Sequence, residues 1–387
     1  MSAPNSYSVE LSGLDGTNPL GFLAALGTLV VVRNTGESTA CLRWVRARTW
    51  TPVLDGLTTN STPHLCALIA QELKGKAVSA EAEKARKTAQ EAYDQARKEL
   101  KREKERIKKE KIKEKEDRDR AFKKRVQPLE ENADAKRREW LNALKDAVPR
   151  PELALGVRID CTAAEYRNHA TEFSQDGDGA AREAIQYLAA FGSDACVEDG
   201  KGDLAVRRIE ATPFCFIRGS GHQNFLDTVR ELVTKVTVDR VRNALCDPWL
   251  YSDEKLSMRW APVEDKRYAL TDVEPSDEGA RTVWMANLLA YRSLALFPCA
   301  PTRRGLGTTA WGDVEEDRVF TWPLWEFGAA PDTVRTMLQL RELREARLDS
   351  AGLKRRGITA VFRARRIRFP PKGANYKVSF SPARGLL

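Results

Sequence analysis

The sequence predicts an α+β fold: a mixed globular body with short antiparallel strands and several helices, carrying a long α-helical coiled-coil hairpin as an insertion. Of the 387 residues, 42% are apolar, which is enough to fill the core of a body of roughly 200 to 300 residues and excludes a purely disordered chain. Stretches of alternating apolar residues are mixed with stretches of helical periodicity. Between Gly75 and Pro128 there is no glycine or proline, and Ala, Glu, Lys and Arg dominate, a composition typical of long helix.

The N-terminal segment begins the body with a strand and a helix. Asn18 and Pro19 occupy the preferred cap and first-turn positions of a helix that we expect over 20–26. Small residues such as Gly21 and Gly27 let the backbone of another element approach that helix closely. The other predicted elements are strands over 7–11, 42–47, 204–209 and 212–218, helices over 62–73, 162–173, 179–191, 224–236, 238–245, 281–297 and 331–352, and a C-terminal hairpin over 358–369 and 376–380.

The insertion shows two heptad seams. Ala82, Ala89 and Ala96 are seven residues apart, as in a coiled coil, and a second apolar series runs from Phe122 to Leu144. Because the globular pattern resumes after residue 149, the insertion must return to its starting point, and a helical hairpin with its tip near 108–120 satisfies this requirement. Proline disrupts a helix interior, so Pro128 kinks the returning helix or marks its true start. A single extended or partly disordered helix is the alternative.

The positive charge is concentrated in two places. The formal net charge is +9; residues 81–140 contain 22 basic and 16 acidic residues, and residues 350–387 contain ten basic residues and no acidic residue. Localised basic surface of this kind is what a polyanionic partner selects. We divide the chain into an N-terminal α+β part of the body (1–74), the charged coiled-coil insertion (75–148), the main α+β body (149–349) and the basic C-terminal β-hairpin (350–387).

The sequence also bears on compartment and redox state. The longest apolar run, over 20–32, is too short for a membrane span, which needs about 20 apolar residues, and no secretory signal pattern is present. We therefore expect a cytoplasmic protein without membrane contact. The seven cysteines are widely spaced with no C-x-x-C pair, which favours reduced, mostly buried thiols over a zinc site.

Three segments are candidates for contact with nucleic acid: residues 218–223, the loop at 303–304 and the terminal hairpin at 363–377. In the first, glycine-flanked amides before a predicted helix suit a phosphate, although the P-loop spacing is absent. In the second, adjacent arginines lie in a glycine-rich loop, where Thr308 or Thr309 could add hydroxyl hydrogen bonds; an ordinary exposed loop is the alternative. In the third, cations on both faces of a terminal strand cannot all be buried without partners. The candidate residues are Arg218, Gly219, Ser220, Gly221, His222 and Gln223; Arg303 and Arg304; and Arg363, Arg365, Arg366, Arg368, Lys372 and Lys377.

Signals for catalysis are weak. The three histidines, His64, His169 and His222, stand in no metal-ligand spacing, and no H-E-x-x-H, G-x-S-x-G or H-x-x-x-D pattern occurs. We therefore expect no enzymatic activity, no metal and no cofactor.

Several stretches resemble one protein family. They are LSGLDGTNPLGFLAALGTL, AAFGSDA, GSGHQNFLDTV, RWAPVEDKRYAL and LALFPCAP followed by TTAW and FTWPLW, spread over most of the chain outside 74–148. They are similar to the large-subunit-like proteins of type I-G (formerly I-U) CRISPR effector complexes, the Cascade class of antiviral defence. The charged insertion is not a general feature of that family, and the chain is short for a large subunit.

The resemblance implies a non-catalytic, RNA- and DNA-binding subunit. It would contact the guide RNA and the target double-stranded DNA, recognise the motif adjacent to the target (the PAM), join other effector subunits and help recruit the helicase-nuclease. In such complexes base pairing reads the sequence, and protein reads the adjacent motif and the backbone. Two alternatives remain open: a metal-dependent nuclease of the same defence locus, and a scaffold subunit that docks through its coiled coil.

Overall fold

A computed structural model of the protein describes residues 6–110, 115–159, 161–175, 177–199, 207–217, 223–262, 281–369 and 377–387. The α-helices are α1 (Pro19–Asn34), α2 (Thr62–Lys74), α3 (Ala80–Lys109), α4 (Lys115–Arg125), α5 (Gln127–Asp146), α6 (Ala163–Gln175), α7 (Gly179–Phe191), α8 (Phe225–Thr234), α9 (Val238–Cys246), α10 (Trp284–Arg292), α11 (Pro331–Leu338) and α12 (Ser350–Arg355). Short 3-10 helices cover Pro151–Leu155, Ser293–Leu296 and Arg341–Arg344.

The fold is mixed α+β with several short antiparallel sheets, as predicted. The strands are β1 (Tyr7–Glu10), β2 (Cys41–Arg46), β3 (Trp50–Leu57), β4 (Val197–Glu198), β5 (Arg208–Ile209), β6 (Asp253–Glu254), β7 (Arg281–Thr282), β8 (Cys299–Thr302), β9 (Gly305–Thr308), β10 (Trp311–Val314), β11 (Asp317–Trp325), β12 (Ile358–Phe369), β13 (Lys377–Phe380) and β14 (Arg384–Gly385). The first sheet has the order β1-β3-β2, and the C-terminal sheet has the order β10-β11-β12-β13 with β14 also paired to β12. The pairs β4-β5, β6-β7 and β8-β9 form separate two-stranded sheets.

Aromatic side chains join the two larger sheets into one core. The rings of Phe22 and Trp44 stack with centroids 5.8 Å apart, and Trp44 meets Trp325 of β11 edge to face at 6.4 Å. The indole of Trp322 donates to the carbonyl of Gly16 (2.8 Å) and that of Trp325 donates to Leu42 (2.7 Å). These two buried indole N–H groups thus have acceptors, which lets the large rings of β11 enter the core without an unpaired donor.

Helix α1 has the predicted start but not the predicted end. The Asn18 side chain accepts a hydrogen bond from the Leu20 amide (2.9 Å), and Pro19 is the first helical residue. The expectation that the helix stops near residue 26 is wrong, because it continues to Asn34. Gly27 is a packing residue and not a terminator: a Cβ there would lie 1.6 Å from the Leu289 carbonyl oxygen of α10. The expected close approach of another backbone is therefore confirmed.

In the insertion, helix α3 packs against helix α5. Ala96, Leu100 and Ile107 of α3 are buried together with Val126 and Ala133, and these residues form an apolar cluster of their own. Pro128 lies in the first turn of α5, which confirms that it marks the start of the returning helix. We refer to the described residues of 75–149 as the arm.

The base of the arm belongs to the main core. Tyr93 stacks on Trp140 with centroids 5.6 Å apart, and both residues, together with Leu141 and Leu144, join the apolar cluster of the body. Arg137 pairs with Glu165 of α6. The two seams therefore do not pair only with each other, and only the distal half of the arm is free of the body core.

Ion pairs with buried arginines connect the two ends of the arm where the chain leaves and re-enters the body. Arg150 bridges Glu72 (2.5 Å) and Glu183 (2.8 Å), and Arg292 pairs with the same two carboxylates. The fully buried Glu152 accepts a hydrogen bond from the Tyr291 hydroxyl at 3.3 Å. We call these residues, Glu72, Arg150, Glu152, Glu183 and Arg292, the root cluster.

Three predicted elements differ from the structure. Residues 212–217 contain no strand, because the Cys215 amide bonds back to Thr212 in a turn; the predicted strand residues 204–206 and 218 lie outside the described residues. The helix expected over 281–297 begins at Trp284, whose amide donates to the Asp253 carboxylate (2.8 Å). The helix expected over 331–352 ends at Leu338, and Asp349 caps a new helix, α12, inside which Gly352 lies.

Strands β3, β4, β6 to β11 and β14 were not predicted, whereas helices α2, α6 to α9 and the C-terminal hairpin match their predicted positions within a few residues. The seven cysteines, all within the described residues, form no disulfide, and four of them are buried, as expected. Among the described residues no helix is long and apolar enough to cross a membrane.

Candidate nucleic-acid interface

Strand pairing in the C-terminal sheet sets the positions of the arginines along β12. On one edge β12 pairs with β11, from Ile358 opposite Trp325 to Arg365 opposite Val319. On the other edge Arg366, Arg368 and Phe369 lie opposite Phe380, Val378 and Lys377 of β13. Because side chains alternate along a strand, Arg363 and Arg365 share one face and Arg366 and Arg368 share the other, as the sequence predicted.

The side chain of Arg363 is hydrogen-bonded to the body of the protein. Its Nε donates to the Thr321 hydroxyl (2.8 Å), and its Nη2 donates to the carbonyls of Leu343 (3.3 Å) and Glu345 (2.6 Å). Burial lowers the pKa of this half-buried guanidinium. These hydrogen bonds to the body favour a structural role for Arg363 over contact with a ligand.

Arg365 is exposed but lies beside an acidic turn. Its guanidinium pairs with Asp317 at 3.1 Å, and both side chains are about half exposed. Glu315 and Glu316 form the exposed turn that joins β10 to β11, immediately before Asp317. An exposed pair of this kind contributes little to stability and is open to competition by another anion.

The guanidinium of Arg366 lies over an aromatic side chain. Its guanidinium carbon is 5.5 Å from the centroid of the Phe216 ring, a distance typical of a cation–π contact. The rings of Phe216 and Phe380 are 4.8 Å apart, and both side chains are buried. The half-buried Arg366 is thereby held in position on the same face as the exposed Arg368.

The backbone of Arg259, which the sequence prediction did not single out, lies next to β13. Arg259 adopts a left-handed backbone conformation (φ 62°), and its carbonyl accepts a hydrogen bond from Ser379 of β13 at 3.3 Å. Tyr251, Lys255 and Leu256, a few residues earlier, also have positive φ. Left-handed conformations at non-glycine residues carry strain and are concentrated at functional sites. The only sequence signal for Arg259 was its place in the RWAPVEDKRYAL stretch.

The first predicted loop is described only at its flanks. Arg218, Gly219, Ser220, Gly221 and His222 lie outside the described residues, as does Lys372 of the hairpin turn. Ile217 before the loop is buried, and the neighbouring Phe216 contacts Arg366. Gln223, half-buried, stands two residues before α8. The contact between Phe216 and Arg366 therefore joins the described residues just before the first candidate segment to the third.

The second predicted loop is a tight hairpin turn. Arg303 and Arg304 are exposed and connect β8 to β9, and Gly305 has the positive φ (108°) that such a turn requires. The expected hydroxyl contacts are wrong: Thr308 and Thr309 are buried, and the Thr309 hydroxyl donates to the Pro298 carbonyl (3.1 Å).

The second segment also contacts the C-terminal sheet. Arg318 of β11 donates to the Leu306 carbonyl of β9 at 3.2 Å. Arg318 is adjacent in sequence to Asp317, which pairs with Arg365.

The described residues contain no group of three His, Cys, Asp or Glu side chains placed to hold a metal ion. What the arrangement offers chemically is a set of positive charges on a rigid sheet. We use the name basic sheet surface for Arg365, Arg366, Arg368 and Lys377, which lie where β12 pairs with β13; Arg366 and Arg368 are on one face, and Arg365 and Lys377 are on the other. Such side chains neutralise phosphates without reading a base sequence.

Comparison with known proteins adds no relationship: no protein-family model matches the chain, and no curated protein matches it.

Proposed function

We propose that the protein is a non-catalytic nucleic-acid-binding subunit of an RNA-guided type I CRISPR effector complex, resembling the large subunit of type I-G Cascade. In this role it contacts guide RNA and target double-stranded DNA in the cytoplasm, takes part in recognising the target-adjacent motif, and helps recruit the helicase-nuclease. The arm acts as an antiparallel coiled coil within the same subunit.

The observation that carries this proposal is the basic sheet surface. Residues 350–387 contain no acidic residue, and the sheet holds the exposed Arg368 and, over the Phe216 ring, Arg366 on one face, with Arg365 and Lys377 on the other. Positive side chains ordered by β-pairing present fixed points to a phosphate backbone, and binding to phosphates releases counterions. The sequence stretches that resemble the large-subunit-like proteins supply the class of nucleic-acid complex.

The basic sheet surface is tested by neutralising its more accessible charges. In the triple variant Arg365→Gln, Arg368→Gln and Lys377→Gln we expect weaker binding to duplex DNA, with a log K versus log salt slope that is shallower by about 0.9 for each phosphate that the variant no longer neutralises. Arg363 and Arg366 stay unchanged, because their contacts with Leu343, Glu345 and Phe216 connect the sheet to the body. Affinity is measured by fluorescence anisotropy over a salt series.

The matched control removes three exposed charges elsewhere: Arg48→Gln, Lys74→Gln and Lys84→Gln. The control should keep the wild-type slope, and both variants should keep the wild-type melting temperature. Equal slopes in all three proteins would remove the sheet from the binding site.

Membership of an RNA-guided complex has its own test. Purification of the tagged full chain from its native cells should recover a small RNA with repeat-derived ends together with other effector subunits. Recovery of the chain without RNA would contradict the proposed class, whatever the result for the sheet variants.

A further inference from the structure

Within residues 81–140 of the insertion, the excess positive charge lies entirely in the distal half. Residues 97–132 contain 16 basic and 10 acidic residues, whereas the rest of 81–140 contains six of each. The base of the arm, which packs on the body, is thus nearly neutral. The distal half, which has its own apolar cluster, carries the whole surplus of positive charge.

Several distal carboxylates serve to hold the arm together. Arg125 pairs with Glu103 (2.5 Å) and Glu110 (2.7 Å), which joins the region before α5 to α3. Lys104 pairs across the helices with Glu130 at 2.7 Å. These internal pairs use acidic groups that would otherwise neutralise neighbouring cations.

Other basic side chains of the distal half lie outside these ion pairs. In the part of the chain that the structure describes, five basic side chains between Leu100 and α5 have exposed positions and no acidic partner: Arg102, Lys108, Lys109, Lys123 and Lys124. We call them the distal patch. Arg102 and Lys109 are seven residues apart and share one face of α3. Lys123 and Lys124 follow Phe122, which is 41% exposed on α4.

The composition of this surface favours a phosphate backbone over a protein partner. Stable protein interfaces have an apolar centre and few lysines. Among the described residues of the arm, Phe122 is the one exposed large apolar side chain. Lysine ammonium groups are mobile point charges that suit phosphates and impose no planar geometry.

The patch is also distant from the body core. From Tyr93, the last α3 residue in that core, to Lys109 the helix rises about 24 Å at 1.5 Å per residue. A duplex bound on the body can therefore be met at a second position along its length.

We infer that the distal patch of the arm is a second nucleic-acid contact, which binds the phosphate backbone of duplex DNA without sequence preference. The inference does not rest on the basic sheet surface, because different residues carry it and separate variants test it.

The test uses the full chain with the quadruple variant Lys108→Gln, Lys109→Gln, Lys123→Gln and Lys124→Gln. The matched control is Lys74→Gln, Lys76→Gln, Lys84→Gln and Arg138→Gln, which removes four exposed charges at the arm base and its root. Binding of an arbitrary-sequence DNA duplex is measured between about 50 and 200 mM salt. Melting temperatures establish that both variants are folded.

We expect the distal variant to show a salt slope shallower by up to about 3.6, which is 0.9 for each of four phosphates, while the control keeps the wild-type slope. The same decrease should occur for duplexes of different sequence. Equal slopes for the distal variant and the wild type would overturn the inference. So would polyglutamate binding that is as tight as DNA binding in the wild type at the same salt and is lost in the distal variant, since the patch would then be a site for acidic protein. The basic sheet surface is intact in both variants, so neither outcome decides the proposed function.

Discussion

At the residue scale, the root cluster shifts the pKa values of two neighbouring glutamates in opposite directions. Burial alone would raise the pKa of Glu183, but Arg292 and Arg150 outweigh it and hold that pKa below its ordinary value. Complete burial raises the pKa of Glu152, against the opposing attraction of Arg150 and Arg292. Glu183 is therefore needed as a charge, whereas Glu152 is accommodated more readily as a neutral group that accepts the Tyr291 hydroxyl.

We predict that the two amide substitutions change the free energy of unfolding by different amounts. Glu183→Gln leaves two buried arginines without one of their carboxylates, and should lower the free energy of unfolding at pH 7 by about 3 kcal/mol, as is usual for breaking a buried ion pair. Glu152→Gln should change it by less than about 1 kcal/mol, because the amide keeps an acceptor for Tyr291 and avoids burying a charge. Urea unfolding of both variants measures the difference.

The pH dependence follows from the signs of the shifts. The stabilisation from Glu183, whose pKa is lowered in the folded state, is present above the unfolded pKa of about 4.3 and is lost as the pH falls through the folded value. Glu152 has a raised pKa, so its contribution is present below about 4.3 and is lost as the pH rises through its folded value. The deficit of Glu183→Gln should therefore shrink on acidification. A deficit that is independent of pH, or a larger destabilisation in Glu152→Gln, would contradict this account.

At the element scale, helices α1 and α10 pack backbone to backbone. Gly27 faces the carbonyl of Leu289 so closely that a Cβ would lie 1.6 Å from its oxygen. The residues of α1 from Pro19 to Val32 are all buried, so the helix is enclosed on every side and cannot shift to make room.

Gly27→Ala should therefore destabilise the protein by about 3 kcal/mol, since overpacking in a closed core outweighs the gain in helix propensity of about 1 kcal/mol. The control is Gly179→Ala at the start of α7, where an added Cβ meets nothing within 4 Å; it should be neutral or stabilising by up to about 1 kcal/mol. Thermal unfolding measures both. A tolerated Gly27→Ala would show that the two helices can separate without disrupting the core.

At the scale of the whole molecule, the arm consists of two parts with different roles. Its base contributes Tyr93, Trp140, Leu141 and Leu144 to the main core. The distal part is buried against itself through the cluster that contains Leu100 and Ile107. Removal of the whole insertion would expose apolar surface of the body, whereas removal of the distal part would not.

We predict that replacing 97–132 by a short Gly-Ser turn leaves a soluble protein that unfolds cooperatively, with a melting temperature close to that of the wild type. Replacing 77–147 should cost several kcal/mol, because burying each large apolar side chain stabilises by roughly 1.5 to 3 kcal/mol. Calorimetry of the two deletions compares them. If the shorter deletion aggregates while the longer one folds, the division of the arm is wrong.

The sequence by itself determined the elements whose causes are local. The absence of Gly and Pro between residues 76 and 127, with heptad spacing, is enough for long helices, and Asn18 followed by Pro19 is enough for a helix start, because caps and helix propensity act within a few residues. The alternation of β12 likewise predicted which arginines share a face.

Only the tertiary structure decided what those residues do. The helix expected over 331–352 is divided at the buried Leu343, which packs with Leu353 and Val361, and no helical periodicity encodes that contact. Arg363 and Arg366 look alike in the sequence, yet one bonds the carbonyls of Leu343 and Glu345 and the other covers Phe216. Their partners lie from about 20 to 150 residues away, and a side chain's role as support or as exposed charge depends on which distant atoms surround it after folding.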